Sequence, residues 1–275
     1  MPQPAKARRD PLGVRILSSV VLIVVIVAAI ALGWPYFNLL VAVAAATLCW
    51  EWVRLCGGSR FGVTGATLTV ATLAAVAATS IGRADIGLGL VALGAAVVAL
   101  AAVAERRRGI GWLALGVPYI GLPGVAVLWL IAEPAFGRQT VAWMVAAVAA
   151  TDIGAYIAGR ALGGALLAPQ VSPNKTWAGL FGGVTCAVLT GGLAAVLLGL
   201  PRLWPLALAS AALAVLAQSG DLFESRVKRQ FGVKDAGGII PGHGGLLDRV
   251  DGHLVAAMAV AGFNWLTGGS ILTWQ

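Results

Sequence analysis

The first long apolar stretch of the chain, VRILSSVVLIVVIVAAIALGW from Val14 to Trp34, decides the class of protein. A hydrocarbon core about 30 Å thick takes about 20 apolar residues of helix to cross, and this stretch has that length. Basic residues precede it, as in a secretory signal peptide, but no small-residue cleavage site lies inside it. We therefore interpret it as a retained first membrane helix.

The composition of the whole chain fits the same environment. Of the 275 residues, 59% are hydrophobic and only 11% are charged, which leaves too little polar surface to cover a water-soluble globule. The net charge of +8 does not indicate nucleic-acid binding, because the basic residues form short clusters between apolar runs. The three cysteines include no CxxC pair and imply no disulfide framework. A bilayer is the natural solvent for this chain.

The sequence predicts an all-α, polytopic integral membrane protein with about nine transmembrane helices. The predicted segments, some of them only loosely apolar, cover residues 14–33, 36–55, 63–81, 86–104, 111–132, 140–159, 177–199, 203–220 and 252–272. We expect about five of these helices in residues 1–135. Residues 136–275 are expected to hold the catalytic region, with cytoplasmic loops at 159–176 and 220–252.

The distribution of basic residues predicts the orientation, because Lys and Arg concentrate in cytoplasmic loops. With a cytoplasmic N-terminus and nine spans, only Arg83, Arg138 and Arg202 of the 19 basic residues face outward. An even number of spans would spoil this asymmetry. We therefore expect the N-terminus inside, the C-terminus outside, and both long polar loops on the cytoplasmic side.

The polar chemistry is concentrated between Gly220 and Gly252. Five of the chain's 11 acidic residues lie there, namely Asp221, Glu224, Asp235, Asp248 and Asp251. If the eighth helix continues past Gly220, Asp221 and Ser225 lie one turn apart on one face, and Lys228 follows. Asp248 and Asp251 share a face near the start of the ninth helix. Carboxylates hold Mg²⁺ beside substrate phosphates, so we predict that Asp221, Asp248 and Asp251 bind Mg²⁺.

The same segment has the groups that bind a polyphosphate. Glycines around His243, including Gly244 and Gly245, allow backbone N–H groups to approach an anion near a helix start. Four basic residues could neutralise a triphosphate, namely Lys228, Arg229, Lys234 and Arg249. A second, monovalent cation is left open.

The pattern Ser225-x-x-Lys-Arg229, Lys234-Asp235 and Pro241-Gly-His-Gly-Gly-x-x-Asp-Arg-x-Asp251 resembles the signature of the phosphatidate cytidylyltransferases, or CDP-diacylglycerol synthases. A second element, Ser172-Pro-Asn-Lys-Thr-Trp-Ala-Gly179, resembles the Ser-Pro-Lys-Lys-Thr-Trp-Glu-Gly stretch of that family. It follows Asp152-x-x-x-Tyr156-x-x-Gly159-Arg160. Asn174, Ala178 and Gly252 depart from the residues that are common in the family. The resemblance is strong over residues 152–252 and only topological before them.

The resemblance implies an enzyme of the bacterial inner membrane that transfers the cytidylyl group of CTP to phosphatidic acid, releasing pyrophosphate and forming CDP-diacylglycerol. It implies CTP, phosphatidic acid and membrane lipids as partners, with a homodimer left open. The residues implied for catalysis are Asp221, Lys228, Arg229, His243, Asp248 and Asp251. Those implied for substrate binding are Asp152, Tyr156, Ser172, Lys175, Thr176, Ser225, Lys234, Asp235, Gly244, Gly245 and Arg249.

Other interpretations stay open at this point. Asp152 and Tyr156 lie in a membrane helix, where an ionisable residue is costly and functional by default, but they could pair locally with Arg160. For Glu224 we prefer a solvated surface pair with Lys228, four residues on. The alternative functions are a nucleotidyltransferase or kinase acting on an isoprenoid lipid phosphate or alcohol, and a transporter. The acidic residues cluster at the inner ends of helices rather than mid-membrane, which favours an enzyme over a transporter.

Overall fold

The computed structural model describes residues 12–58, 60–240 and 244–274. Over those ranges the chain forms nine α-helices and a two-stranded hairpin. Seven of the helices are long and apolar enough to cross a membrane by length and composition. The predicted all-α, multi-pass membrane fold is therefore confirmed.

The elements follow one another with short connections. In chain order they are α1 Leu12–Leu32, α2 Tyr36–Gly57, α3 Gly62–Ser80, α4 Ala84–Ala104, α5 Ile110–Ile131, α6 Gly137–Leu162, β1 Leu166–Ala168, β2 Ser172–Thr176, α7 Trp177–Leu197, α8 Trp204–Gln230 and α9 Leu247–Thr267. A 3₁₀ turn, Ile271–Thr273, follows α9.

Two helices differ from their predicted segments in a way that shapes the site. α8 continues to Gln230 instead of ending at 220, and α9 runs from Leu247 to Thr267 instead of from 252 to 272. Hydropathy marks where a helix contacts lipid, whereas the backbone hydrogen bonds continue into the polar boundary. The loop between α8 and α9 is correspondingly shorter than the predicted 220–252.

The chain between α6 and α7 forms a hairpin that the sequence did not predict. β1 and β2 pair antiparallel, with Leu166 opposite Thr176 and Ala168 opposite Ser172. The stretch SPNKT has none of the apolar alternation that marks a strand, so pattern reasoning missed it. The hairpin matters for the site because β2 packs against α8.

Small residues bring α6 and α7 into direct backbone contact. A Cβ added to Gly154 would lie 2.6 Å from the Gly182 carbonyl oxygen and 2.6 Å from Cys186 Sγ. Glycine lets membrane helices approach closely where the bilayer offers no hydrophobic drive for association. This contact fixes the two helices that flank the hairpin.

A charged network ties the α2–α3 and α4–α5 connections together. Glu105 accepts hydrogen bonds from the Thr64 hydroxyl at 2.7 Å and from the backbone N–H groups of Val63 and Thr64 at 2.8 and 3.1 Å. The Thr64 hydroxyl, helped by those N–H groups, lowers the pKa of Glu105 to about 2. Arg107 pairs with Glu105 at 3.3 Å and donates to the Phe61 carbonyl at 2.9 Å. One end of the bundle is thereby held rigid.

Candidate active site

Three carboxylates meet at the end of the bundle where α8 ends and α9 begins. Asp221, Glu224 and Asp251 each offer one oxygen, and these oxygens lie within 4.8 Å of one another. We call this group the carboxylate cluster. Glu224 is fully buried, and its Oε1 accepts no hydrogen bond from any residue that the structure describes. A buried oxygen without a donor, beside two further carboxylates, fits a divalent cation.

Two side chains hold Asp221 in place. Lys175 Nζ, from β2, lies 2.6 Å from Asp221 Oδ2 and donates to Gln218 Oε1 at 3.0 Å. Ser225 donates to Asp221 Oδ1 at 3.3 Å, one turn along α8. The predicted face of Asp221, Ser225 and Lys228 therefore exists, and the hairpin supplies a lysine to it.

Lys228 links the carboxylate cluster to Asp248. Its Nζ lies 3.0 Å from Glu224 Oε2 and 2.6 Å from Asp248 Oδ1. Asp248 also accepts backbone hydrogen bonds from Ala236 and Gly245, each at 3.0 Å to Oδ2. Its carboxylate thus organises the loop before α9. We call residues 236–240 and 244–245 the glycine loop.

The glycine loop closes on itself and on α2. Gly244 has φ +82°, which favours glycine, and its carbonyl accepts a hydrogen bond from the Ile240 N–H at 3.0 Å. Glu51 of α2, fully buried, accepts hydrogen bonds from the N–H groups of Leu246 and Leu247 at 2.8 and 2.7 Å. A helix of the first half of the chain therefore reaches the start of α9.

The remaining predicted residues lie around this centre. Asp152 of α6 interacts electrostatically with Asp221, Lys175 and Arg249. Tyr156 instead accepts a hydrogen bond from Arg160 at 3.1 Å, the local pairing left open above. Thr176 accepts from the Gly179 N–H at 3.0 Å and so caps α7, and Arg229 donates to the Val233 carbonyl at the end of α8. Ser172 is half-buried in β2, and Lys234 and Asp235 are exposed. The predicted role of His243 falls outside the described residues.

One interpretation made from the sequence changes here, and a second, the set of metal ligands, stays a prediction. The solvated pair preferred for Glu224 was wrong: the pair with Lys228 exists, but Glu224 is fully buried because α9 covers that face of α8. The predicted metal ligands Asp221, Asp248 and Asp251 differ in one member from the carboxylate cluster. Asp248 is turned to Lys228 and the glycine loop, and Glu224 stands in its place beside the other two.

Sequence reasoning missed Glu51 and Gln218. Glu51 had a signal, since an ionisable residue in an apolar helix is costly and conspicuous. Its partners lie almost the whole chain away, however, and spacing cannot reveal them. Gln218 carried no signal, because its role depends on the hairpin.

An apolar cavity of about 340 Å³ lies among α1, α2, α5, α6 and α9. Its walls are mostly aliphatic, and Arg249 and His253 are the ionisable residues that line it. Because Arg249 follows Asp248 in the first turn of α9, the cavity lies beside the charged site. A hydrocarbon chain fits such walls, and an anionic head group fits the end that carries Arg249.

The fold and the site define a multi-pass membrane protein whose carboxylates and lysines suit phosphate chemistry at the membrane boundary. More narrowly, the chain belongs to the cytidylyltransferase family, whose model matches residues 13–266.

Three relatives are similar over 47 to 58% of the chain. Over 158 residues the chain is 49% identical to the phosphatidate cytidylyltransferase of Brucella suis, which covers 58% of this chain and 58% of the relative. The chain is 40% identical to the phosphatidate cytidylyltransferase of Staphylococcus epidermidis over 141 residues, which are 51% of this chain and 53% of the relative. It is 42% identical to the phosphatidate cytidylyltransferase of Mycobacterium leprae over 129 residues, which are 47% of this chain and 41% of the relative. The chain thus spans less than two thirds of the length of these relatives.

Proposed function

We propose that this protein transfers the cytidylyl group of CTP to phosphatidic acid, giving CDP-diacylglycerol and pyrophosphate. One observation carries the proposal: the carboxylate cluster lies between Lys175 and Lys228, and Arg249 connects its surroundings to an apolar cavity. A polyanionic nucleotide and a lipid phosphate could meet there. The names of the relatives and the family model support the same reaction.

The carboxylate cluster is proposed to hold Mg²⁺. Asp221, Glu224 and Asp251 offer three carboxylates, and the buried Glu224 Oε1 has no donor among the described residues. Bound there, the ion would neutralise phosphate charge and stabilise the departing pyrophosphate. Asp248 would act beside it, by holding Lys228.

The side chains would otherwise act by positioning and by charge. Lys175 and Lys228, each already close to a carboxylate, would bind phosphate oxygens of CTP and keep the triphosphate in one orientation. Arg249 would bind the phosphate of phosphatidic acid while its acyl chain occupies the cavity. An oxygen of that phosphate then attacks the α-phosphorus of CTP, and the bond to pyrophosphate breaks. The attacking phosphate is ionised near neutral pH, so this step needs no general base.

The site is proposed to face the cytoplasm of a bacterial inner membrane. The elements that build it meet at the same end of the bundle as the network of Glu105 and Arg107, which joins two predicted cytoplasmic connections. The concentration of basic residues supports the cytoplasmic side for that end. CTP would arrive from the cytoplasm and phosphatidic acid from the bilayer.

Pyrophosphate release from CTP by the purified protein in detergent tests this function. Release should require both phosphatidic acid and Mg²⁺, and CDP-diacylglycerol should form in equal amount. Diacylglycerol, which lacks the phosphate, should not replace phosphatidic acid, whereas a kinase would phosphorylate it. Release that responds to an isoprenoid phosphate and not to phosphatidic acid would contradict the proposed substrate.

A further inference from the structure

Glu51 is the one carboxylate of α2, and the structure buries it completely. Its two oxygens accept hydrogen bonds from the first N–H groups of α9, on Leu246 at 2.8 Å and on Leu247 at 2.7 Å. Leu246, at the N-cap position of α9, has no side chain able to cap the helix. The start of α9 is therefore capped by a residue 195 positions earlier in the chain.

The glycine loop packs its backbone against the same carboxylate. A Cβ added to Gly237 would lie 2.6 Å from Glu51 Oε1, and one added to Gly245 would lie 2.9 Å from it. A side chain at either place would therefore push against the Glu51 carboxylate. Glu51 fixes the loop from one side, and Asp248 fixes it from the other through Ala236 and Gly245.

The position of α9 determines whether the site is complete. Asp251 joins the carboxylate cluster from the second turn of α9, and Asp248 meets Lys228 from the first turn. A carboxylate is favoured at a helix N-terminus because the N–H groups there carry partial positive charge. A short local cap would satisfy the same N–H groups, but it would not tie α9 to α2.

We propose that Glu51 is a positioning residue for the transfer reaction: it holds the start of α9 and the glycine loop so that Asp248 and Asp251 reach their partners. It touches no substrate in this role and acts through α9. The inference rests on the proposed function for its activity readout, and on hydrogen exchange for a readout that does not depend on it.

Glu51→Gln tests the proposal, with Glu133→Gln as the matched control. Glu133 also accepts two backbone hydrogen bonds near a helix start, from Ala135 and Phe136 at 3.3 and 2.9 Å, but it lies before α6 at the other end of the bundle. In both variants the amide keeps one acceptor oxygen and loses the other. Amide hydrogen exchange, kcat/KM for CTP and the Mg²⁺ concentration giving half-maximal rate would be measured on folded, purified protein.

We expect Glu51→Gln to increase hydrogen exchange over residues 244–252 by about tenfold, since one charge-assisted hydrogen bond is lost. The ratio kcat/KM should fall by about ten- to a hundredfold, and the Mg²⁺ concentration that gives half-maximal rate should rise. Glu133→Gln should change exchange only near the start of α6. A purely stabilising role predicts instead that folded Glu51→Gln molecules keep normal kcat/KM and Mg²⁺ dependence, and that result would overturn the proposal.

A pair of neighbouring glycines gives a second test, which decides the matter if Glu51→Gln does not fold. Gly237→Ala places a methyl group against Glu51 Oε1, whereas a Cβ on Gly238 meets nothing within 4 Å. Gly237→Ala should increase amide hydrogen exchange at the start of α9 and lower turnover. Gly238→Ala should change neither quantity. Equal behaviour of the two variants would refute the positioning role.

The two proposals fail separately. If the unaltered protein releases no pyrophosphate with CTP and phosphatidic acid, the proposed function fails, and exchange over residues 244–252 still tests the cap on α9. If the unaltered protein is active but exchange there is the same in Glu51→Gln, the cap proposal fails alone.

Discussion

Glu224 and Asp248 share Lys228, yet their second oxygens have different surroundings. Asp248 Oδ2 accepts two backbone N–H groups, whereas Glu224 Oε1 is buried beside Asp221 and Asp251 without a donor among the described residues. The structure therefore separates two carboxylates that the sequence could not rank. One is suited to a cation, and the other to ordering the glycine loop.

Glu224→Gln should leave the protein folded and lower turnover by about a hundredfold, since the amide keeps the shape but removes one charge from the proposed metal site. The Mg²⁺ concentration for half-maximal pyrophosphate release should rise. Asp85→Asn is the control, because Asp85 forms an exposed ion pair with Arg83 at 3.1 Å. Unchanged Mg²⁺ dependence in Glu224→Gln would remove Glu224 from the metal site.

Asp248→Asn should lower stability as well as turnover. The new amide group would face the N–H groups of Ala236 and Gly245 and would leave Lys228 paired with Glu224 alone. Lys228 keeps one charged partner, so the loss comes from the weakened hydrogen bonds to Asp248, and a hydrogen bond to a charged group contributes about 1.5 to 3 kcal/mol. Thermal unfolding in detergent measures this loss. A variant as stable as the unaltered protein, but inactive, would favour the metal ligand that the sequence predicted.

The sequence identified most residues of the site but not their pairing. Asp221, Lys228, Asp248 and Asp251 stand out because charged residues are rare in this chain. Which carboxylate faces which lysine depends on how α8 and α9 cross, and spacing within one helix cannot show that. Glu51 acts across 195 residues and was beyond any local pattern.

At the scale of elements, the contact of α6 with α7 holds Asp152 and Lys175 at their places. Gly154→Ala would put a methyl group 2.6 Å from the Gly182 carbonyl oxygen. This oxygen belongs to the backbone of α7, so it cannot move away by a side-chain rotation. We expect a loss of stability of about 1 to 3 kcal/mol, measured by thermal unfolding. Gly192→Ala in α7 is the control.

A Cβ on Gly192 meets nothing within 4 Å, so alanine there should leave stability unchanged or raise it by up to about 1 kcal/mol through helix propensity. If both substitutions have the same effect, close packing of α6 on α7 is not what stabilises this part of the fold.

Seven of the nine helices in the described residues are long apolar runs, and such runs could be predicted because a helix that contacts lipid needs one. The polar extension of α8 and the earlier start of α9 could not, because hydrogen bonding continues where hydropathy has already fallen. The hairpin was missed for a related reason. β1 and β2 together pair only a few residues, and SPNKT has no strand pattern.

At the scale of the whole molecule, we expect the nine helices of the described residues to cross the membrane in alternating directions, so that α1 begins on one side and α9 ends on the other. A reporter fused after the C-terminus should be outside the cytoplasm, and so should one fused after Gly82, between α3 and α4. A reporter fused after Arg108, between α4 and α5, should be cytoplasmic. A cytoplasmic C-terminal reporter would reverse the proposed side of the site.

The cap that Glu51 places on α9 also has a consequence for biosynthesis. α2 leaves the ribosome long before Leu246 exists, so its carboxylate enters the membrane without the donors it will later have. An unpaired buried charge is expensive, so we expect α2 to be less stably inserted until α9 has been made. A nascent chain that stops before Leu246 should therefore be degraded faster than the complete chain in a pulse-chase experiment, and Glu51→Leu should remove that difference.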